Sequence, residues 1–388
     1  MKRATVVIGA NWGDEGKGLM TDYHSDENTV VVRFNGGPQA GHTVYRGEHR
    51  HEFHHFGAGT LNGACTFLSK YFLNNPVLYF QELKSLHEKG FEPEVFVHPD
   101  GLVTTPWDMM INQMVEESRG HARHGSCGMG INETIKRSEL FINLHINTLT
   151  RSYFSDVLNE IEMNWVPRRL NEFGIEPNEE WQYRLHKMPN GETVQRAFRE
   201  YCEQYLKSVK LAAVPTRSKI VFEGAQGLLL DEDHYFFPHV THSHTGLKNV
   251  MEMTSEIGLT ELDVVYATRA YATRHGAGPF PHEEPEIVFE DHTNVHNEWQ
   301  GTIRFGELDL DLLAESILND AKHGVIPFTR KLAITCFDQL PVNAVPFWKG
   351  GQRIVGSQIE LVREAYASVK ADTGFMSFGP SARHVRNF

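Results

Sequence analysis

The sequence predicts an α/β fold: a large, mainly parallel central sheet flanked by helices, with a P-loop-like nucleotide site and one helical insertion. Three observations carry that expectation. Short β-branched runs recur along the chain and end in turn residues; helix-period segments lie between them; and the first run passes straight into a glycine-rich loop and a helix. Strands that alternate with helices build parallel sheets, because a parallel partner needs a crossover connection.

Thr5-Val6-Val7-Ile8 closes at Gly9 and leads through Asn11-Trp12-Gly13-Asp14-Glu15-Gly16-Lys17-Gly18 into a short helix from Leu19. Val30-Val31-Val32 runs into Arg33-Phe34-Asn35-Gly36-Gly37, and a helical stretch from Val77 to Lys89 precedes the strand-like Val95-Phe96-Val97. Between about residues 150 and 215 the pattern turns helical and charged, as in Arg151 to Phe173 and Glu192 to Val209, and reads as a helical insertion. Further strands are expected at Lys219 to Phe222, Val264 to Ala267, Leu332 to Cys336 and Phe375 to Ser377. With no repeat, low-complexity tract or Pro/Gly/Ser-rich linker, residues 1–388 read as one continuous domain. Ligands of open α/β sheets gather outside the carboxyl ends of the strands, so the polar loops there are the places to seek a site.

Composition narrows the function. A chain of 388 residues, 40% hydrophobic and 22% charged, can bury a large core. Its formal net charge of -13, without a basic stripe, speaks against polymeric nucleic acid as a ligand. A small polyanion is still accessible, because a glycine-rich loop, a helix N-terminus and Mg²⁺ supply local positive potential. Cys65, Cys127, Cys202 and Cys336 form no CxxC pair, which fits a reducing cytosol. No signal-peptide segment and no apolar run of about 18 residues is present, so the expectation is a soluble cytoplasmic protein without a membrane partner.

The chemistry concentrates in two small-residue loops. In the first, Gly13, Gly16 and Gly18 allow the backbone to approach a phosphate, Lys17 brings a compact positive charge, and the following helix offers free N–H groups. A Walker A motif would need Gly at position 11 and Ser or Thr at 18, where this chain has Asn11 and Gly18. Asp14 and Glu15 would repel a phosphate unless a cation intervenes; Mg²⁺ resolves that, and so does a role for Asp14 as general base towards a substrate N–H. The second loop, Gly36-Gly37-Pro38-Gln39-Ala40-Gly41-His42-Thr43, sets an imidazole among small neighbours.

These two segments resemble the paired signatures of the adenylosuccinate synthetase family. Phe222-Glu223-Gly224-Ala225-Gln226-Gly227 with Leu229-Leu230-Asp231, then Thr273-Arg274 and Gly276-Ala277-Gly278-Pro279-Phe280-Pro281, and finally Ser377, Gly379 and Pro380, follow in the family's order. The resemblance implies a two-step ligase. Asp14 would draw the proton from purine N1, the 6-oxygen would attack the γ-phosphate of a nucleoside triphosphate, and His42 would stabilise the transferring group. The amine of L-aspartate would then displace phosphate at C6. Asp14, Lys17 and His42 are thereby implied as catalytic, and Mg²⁺ would be held by Asp14 and the Gly41 carbonyl. The triphosphate would lie on Gly13, Glu15, Gly16, Lys17, Gly18, Gly41, His42 and Thr43, and on Thr335, Asp338, Ser377, Gly379 and Pro380. The purine monophosphate would meet Asp14, Gln39, Ser126, Cys127, Gln226 and Thr241, together with Arg137 reaching in from a second subunit of a homodimer.

The chain also departs from the family. Where the family's aspartate loop carries consecutive arginines, this chain has Asn297-Glu298-Trp299-Gln300-Gly301-Thr302-Ile303-Arg304, leaving Gly301, Thr302 and Arg304 to bind aspartate. The guanine-reading Thr-Lys-x-Asp becomes Thr335-Cys336-Phe337-Asp338, without the lysine, and Gln39 stands for the usual asparagine. In these respects the chain is similar to the family's phage branch, which joins aspartate to dGMP with ATP or dATP. That resemblance implies N6-succino-2-amino-2′-deoxyadenylate as product. The alternatives are IMP with GTP as donor, a nucleotide-binding switch without chemistry, and a conventional P-loop kinase.

Overall fold

A computed structural model describes residues 2–388 apart from 121, 122, 124, 216, 290, 292 and 295–300. The first β-branched run forms β1 (Arg3–Gly9), and the glycine-rich loop leads into α1 (Lys17–His24). β2 (Thr29–Arg33) is followed by an antiparallel hairpin of β3 (His42–Arg46) and β4 (His49–Phe53), and by β5 (Cys65–Leu68). α2 (Pro76–Glu88) starts where Asn75 accepts from the Val77 and Leu78 amides and Pro76, which has no N–H to lose, takes the first helical position. β6 (Val95–Val97) precedes α3 (Pro106–Arg119), opened by a Thr105–Asp108 capping box, and α4 (Ile131–Leu140).

Four helices follow: α5 (Phe154–Glu160), α6 (Val166–Glu172), α7 (Glu179–His186) and α8 (Val194–Ser208), with a π-helical turn over Ile161–Trp165 joining the first two. The helical stretch expected to about residue 215 stops earlier, because β7 (Lys210–Leu211) adds a strand to the sheet edge beside β6. Then come β8 (Lys219–Gly227), α9 (Leu247–Ile257), β9 (Glu261–Arg269), β10 (Ala272–Arg274), β11 (Arg304–Gly306) and β12 (Leu308–Asp309). The chain closes with α10 (Leu310–Ala321), β13 (Phe328–Thr335), β14 (Val345–Lys349), β15 (Gln352–Gly356), α11 (Gln358–Val369), β16 (Thr373–Ser377) and β17 (Val385–Asn387).

Ten strands make the central sheet, in the order β17-β16-β13-β9-β1-β8-β2-β5-β6-β7, and every pairing but β16–β17 is parallel. The period of two along the strands sorts their side chains. Val6, Ile8, Val264, Tyr266, Leu332 and Ile334 pack beneath α9, α10 and α11. Val7, Val265, Ala333 and Phe375 meet Leu19 and Met20 of α1 on the other face. The helices of 154–208 share a separate apolar core with α2, α3, β5 and β6. β1 lies between β8 and β9, so the loop that follows it opens at the middle of the sheet, where crossovers depart to either side.

Candidate active site

The loop after β1 is wound tightly around one buried carboxylate. Glu15 Oε1 accepts from the amides of Asn11 (3.1 Å) and Gly13 (2.7 Å), and Oε2 accepts from Lys17 Nζ at 2.6 Å. Both charged groups are almost fully buried. Glu15 therefore organises the loop instead of facing a phosphate, and Lys17 has a partner before any ligand arrives. Gly13, Asp14 and Gly16 all take left-handed backbone conformations, with φ of 102°, 64° and 89°. Left-handed backbone is nearly strain-free only without a β-carbon, so Asp14 is the strained member. Thr335, at the end of β13, donates its hydroxyl to the carbonyls of Glu15 (3.1 Å) and Thr268 (3.3 Å), bracing the loop from below. No side chain caps α1, which starts after the left-handed Gly16, so its leading amides stay open to an anion.

The second loop converges on the first. Asn35 locks it to the end of β8, donating to the Ala225 carbonyl (3.0 Å) and accepting from the Ala225 amide (2.7 Å). A β-carbon on Gly18 would lie 2.9 Å from His42 Cβ, so glycine lets α1 and β3 approach that closely. His42 Nδ1 is 2.6 Å from Glu223 Oε1, while its Nε2 is buried without a partner. Glu223 Oε2 accepts from the Ala58 amide at 3.0 Å and lies 4.0 Å from Arg33 Nε. Burial pushes the His42 imidazole below its ordinary pKa, outweighing the pull of Glu223. Burial alone would raise the Glu223 carboxyl, but His42 and Arg33 win and hold it below its ordinary value. His42 therefore donates its Nδ1–H to Glu223, and Nε2 is the ring atom left for a ligand.

The other predicted residues lie on several loops and strand ends. Both amide atoms of Gln39 and the hydroxyl of Thr43 are buried without a partner. Gln226 takes φ of 65° where the β1–β8 register shifts. Ser126 donates to Asn112 Oδ1 at 2.9 Å, and burial pushes the Cys127 thiol up to about 11. A β-carbon on Gly125 would lie 2.7 Å from Gly276 Cα, which brings this segment against the loop after β10. The Thr241 amide donates to the Leu230 carbonyl at 2.8 Å. Ser377 donates to the Gly379 carbonyl at 2.8 Å, beside Pro380, and Asp338 is exposed on a turn after β13.

The model of the adenylosuccinate synthetase family matches residues 6–345, which takes in both loops and every strand end just described except that of β16. The chain belongs to the adenylosuccinate synthetase family. Adenylosuccinate synthetases of a Synechococcus strain and of Gloeobacter violaceus are each 34% identical to it, over 287 and 289 residues, or 72% of this chain. Those matches span 62% and 63% of the relatives' own length, less than two thirds. The fully ligated adenylosuccinate synthetase of Plasmodium falciparum superposes with a TM-score of 0.73 at 18% identity, covering 98% of this chain and 99% of that one. The succinoaminodeoxyadenylate synthetase of cyanophage S-2L, bound to dGMP and dATP, gives 0.57 at 15% identity over 100% and 95%. These two likenesses are of fold.

Against the family pattern, two predicted contacts are placed elsewhere. Arg137 does not reach out towards a partner subunit: it is wholly buried and donates to Asp108, to the Val103 carbonyl (2.8 Å) and to the Ile142 carbonyl (3.0 Å). The Asp108 carboxylate of the capping box leaves it no reason to seek an anion outside. Arg304 is likewise engaged, paired with Glu283 and donating to the carbonyls of Gly276 and Gly278 at 3.1 Å, so in this form it is not a free clamp for aspartate. Thr302 is exposed beside Gly301, and the preceding residues 297–300 lie outside the described residues. Glu223 and Asn35 are the residues the sequence reading passed over. Glu223 stood inside a quoted motif, and a carboxylate in the middle of an otherwise apolar strand was its signal.

Proposed function

We propose that this chain is a ligase joining L-aspartate to C6 of a purine nucleoside monophosphate, driven by cleavage of a nucleoside triphosphate. The observation that carries the reading is the meeting of the Asp14 loop with His42 across Gly18, the imidazole presenting an unpartnered Nε2. Asp14, with about a fifth of its side chain exposed, takes the N1 proton of the purine as the 6-oxygen attacks the γ-phosphorus and the bond to the β-phosphate oxygen breaks. His42, which takes a proton on Nε2 from solvent water as the anionic triphosphate enters, donates that N–H as a hydrogen bond to the phosphoryl group, the resulting cation stabilised by Glu223. The aspartate amine then adds at C6, phosphate leaves with the C–O bond electrons, and the proton the nitrogen sheds goes to the departing phosphate. Lys17 and the open amides of α1 hold the triphosphate, Lys17 exchanging Glu15 for phosphate.

The Asp14 carboxylate and the Gly41 carbonyl are hard oxygen donors of the kind Mg²⁺ takes. A β-carbon on Gly41 would lie 2.2 Å from Glu52 Oε1, so the glycine is what lets that carboxylate approach the backbone. Bound there, Mg²⁺ would neutralise charge on the phosphates. A homodimer and a cytoplasmic location complete the proposal; among the described residues no helix is long and apolar enough to cross a membrane.

IMP is the monophosphate the sequence relatives favour, since adenylosuccinate is its aspartate adduct, and GTP is the donor that goes with it. A second reading, dGMP with ATP or dATP, is favoured by Cys336 where the family has lysine and by the unpartnered Gln39 amide. Purified protein with aspartate and Mg²⁺ is given each pairing of IMP, GMP or dGMP with GTP, ATP or dATP while phosphate release is followed. IMP turnover with GTP supports the first reading, and turnover restricted to dGMP supports the second. Nucleotide binding without aspartate-dependent phosphate release from any pairing would overturn the ligase.

A further inference from the structure

Asp14 belongs to a closed ring of side chains. His275, just past β10, has Nε2 3.5 Å from Asp14 Oδ2 and 3.1 Å from Asn294 Oδ1. The orientation of that amide is not arbitrary: Asn294 Nδ2 donates to Asp291 Oδ2 at 2.8 Å, so the oxygen must face His275. Nε2 therefore looks at two acceptors, which places the imidazole proton on it. Asp291 Oδ1 also accepts from the amides of Thr293 (2.9 Å) and Asn294 (3.0 Å), and its Oδ2 accepts from Arg269 Nη2 at 2.9 Å. Arg269 Nε returns to the start, donating to the Asp14 carbonyl at 2.6 Å. The ring thus bonds the Asp14 carbonyl through Arg269 and sets the Nε2 edge of His275 within 3.5 Å of the Asp14 carboxylate. It does so at a residue held in the left-handed region, where non-glycine backbone persists only if its surroundings impose it.

We propose that His275 is a positioning residue for Asp14, its Nε2–H orienting the carboxylate towards the purine while Asn294, Asp291 and Arg269 fix the ring. The catalytic meaning rests on the ligase reading; the hydrogen-bond geometry does not. Two measurements separate them. Nitrogen-15 NMR of the unliganded protein, with the His275 signals assigned by their loss in His275→Gln, reads the tautomer: the proton is expected on Nε2, and Asn294→Ala is expected to erode that preference. In steady-state assays with whichever pairing turns over, His275→Leu should lower kcat by about 10-fold to 100-fold, the cost of a slightly misplaced catalytic group, with KM for the monophosphate changed less than about twofold. His275→Gln, which keeps an N–H donor, should recover most of that loss. A proton on Nδ1 in the wild type, a Leu variant with wild-type kcat, or Leu and Gln variants equally impaired would each overturn the positioning role. Wild-type protein that turns over no pairing but carries the Nε2 proton would overturn the ligase reading alone.

Discussion

The two nitrogens of His42 have unequal circumstances, and the inequality sets its chemistry. Nδ1 is committed to a carboxylate that His42 itself and Arg33 hold below its ordinary pKa, whereas Nε2 is buried and unpaired. An imidazole in such a setting resists protonation until an anion arrives at Nε2, and Glu223 supplies much of the stabilisation of the cation then formed. Glu223→Gln should therefore lower kcat about 100-fold with little change in KM, because the lost interaction is felt when charge develops. Its pH profile should shift with it. Removing the carboxylate drops the His42 pKa further, so the alkaline limb, on which protonated His42 is lost, moves to lower pH, which stopped assays across pH 5–9 would show; an unchanged profile would count against the pairing. The residue scale is also where reading a sequence fails most readily. Asp14, Lys17 and His42 announce themselves by residue type and small neighbours, but nothing in Asp14-Glu15-Gly16-Lys17 says which of the two carboxylates turns inward. Backbone amides at Asn11 and Gly13 made that choice, by offering Glu15 donors that Asp14 cannot reach.

At the scale of elements, the site is assembled by close backbone approaches. The strand-loop-helix unit of β1 and α1 was legible because β-branched residues followed by glycines leave few other conformations. The hairpin of β3 and β4, which carries His42, was not: His49 to Phe53 alternates through charged and imidazole side chains, so its period of two is masked. Its placement depends on Gly18. Gly18→Ala inserts a methyl group 2.9 Å from His42 Cβ, and since alanine is otherwise the better helix residue, any harm comes from that contact. The variant should melt about 1–3 kcal/mol less stably and lose phosphate release out of proportion to the stability change. Chemical denaturation alongside the activity assay checks it, and full activity would mean the hairpin can slide away without consequence. The expected aspartate-binding and partner-facing arginines are engaged within the chain for a related reason. Arg137 and Arg304 carry the right charge, but Asp108 and Glu283, distant in sequence, claim them first.

At the scale of the whole molecule, packing of α10 between α9 and the sheet buries a carboxylate. Asp320 of α10 accepts from the Leu247 amide at 2.8 Å, capping α9, and from Tyr266 Oη at 2.9 Å. Burial raises its pKa from 3.8 to about 6. The folded chain then binds this proton more tightly than the unfolded chain, so the group's contribution is most favourable below about pH 4 and declines as pH rises through 6. Two pKa units correspond to about 3 kcal/mol at neutral pH. Asp320→Asn keeps an acceptor for Leu247 and removes the charge; it should raise the melting temperature at pH 7.5 and lose that advantage near pH 4, as thermal melts at the two values would show. By itself the sequence determined the alternating α/β class, the nucleotide loop and the family, because periodicity, glycine spacing and ordered motifs are local properties of the chain. Only the tertiary structure decided which charges are spent on one another, since an ion pair such as Arg137 with Asp108, or the ring joining Asp14 to His275 and Asp291, depends on distances that no local pattern encodes.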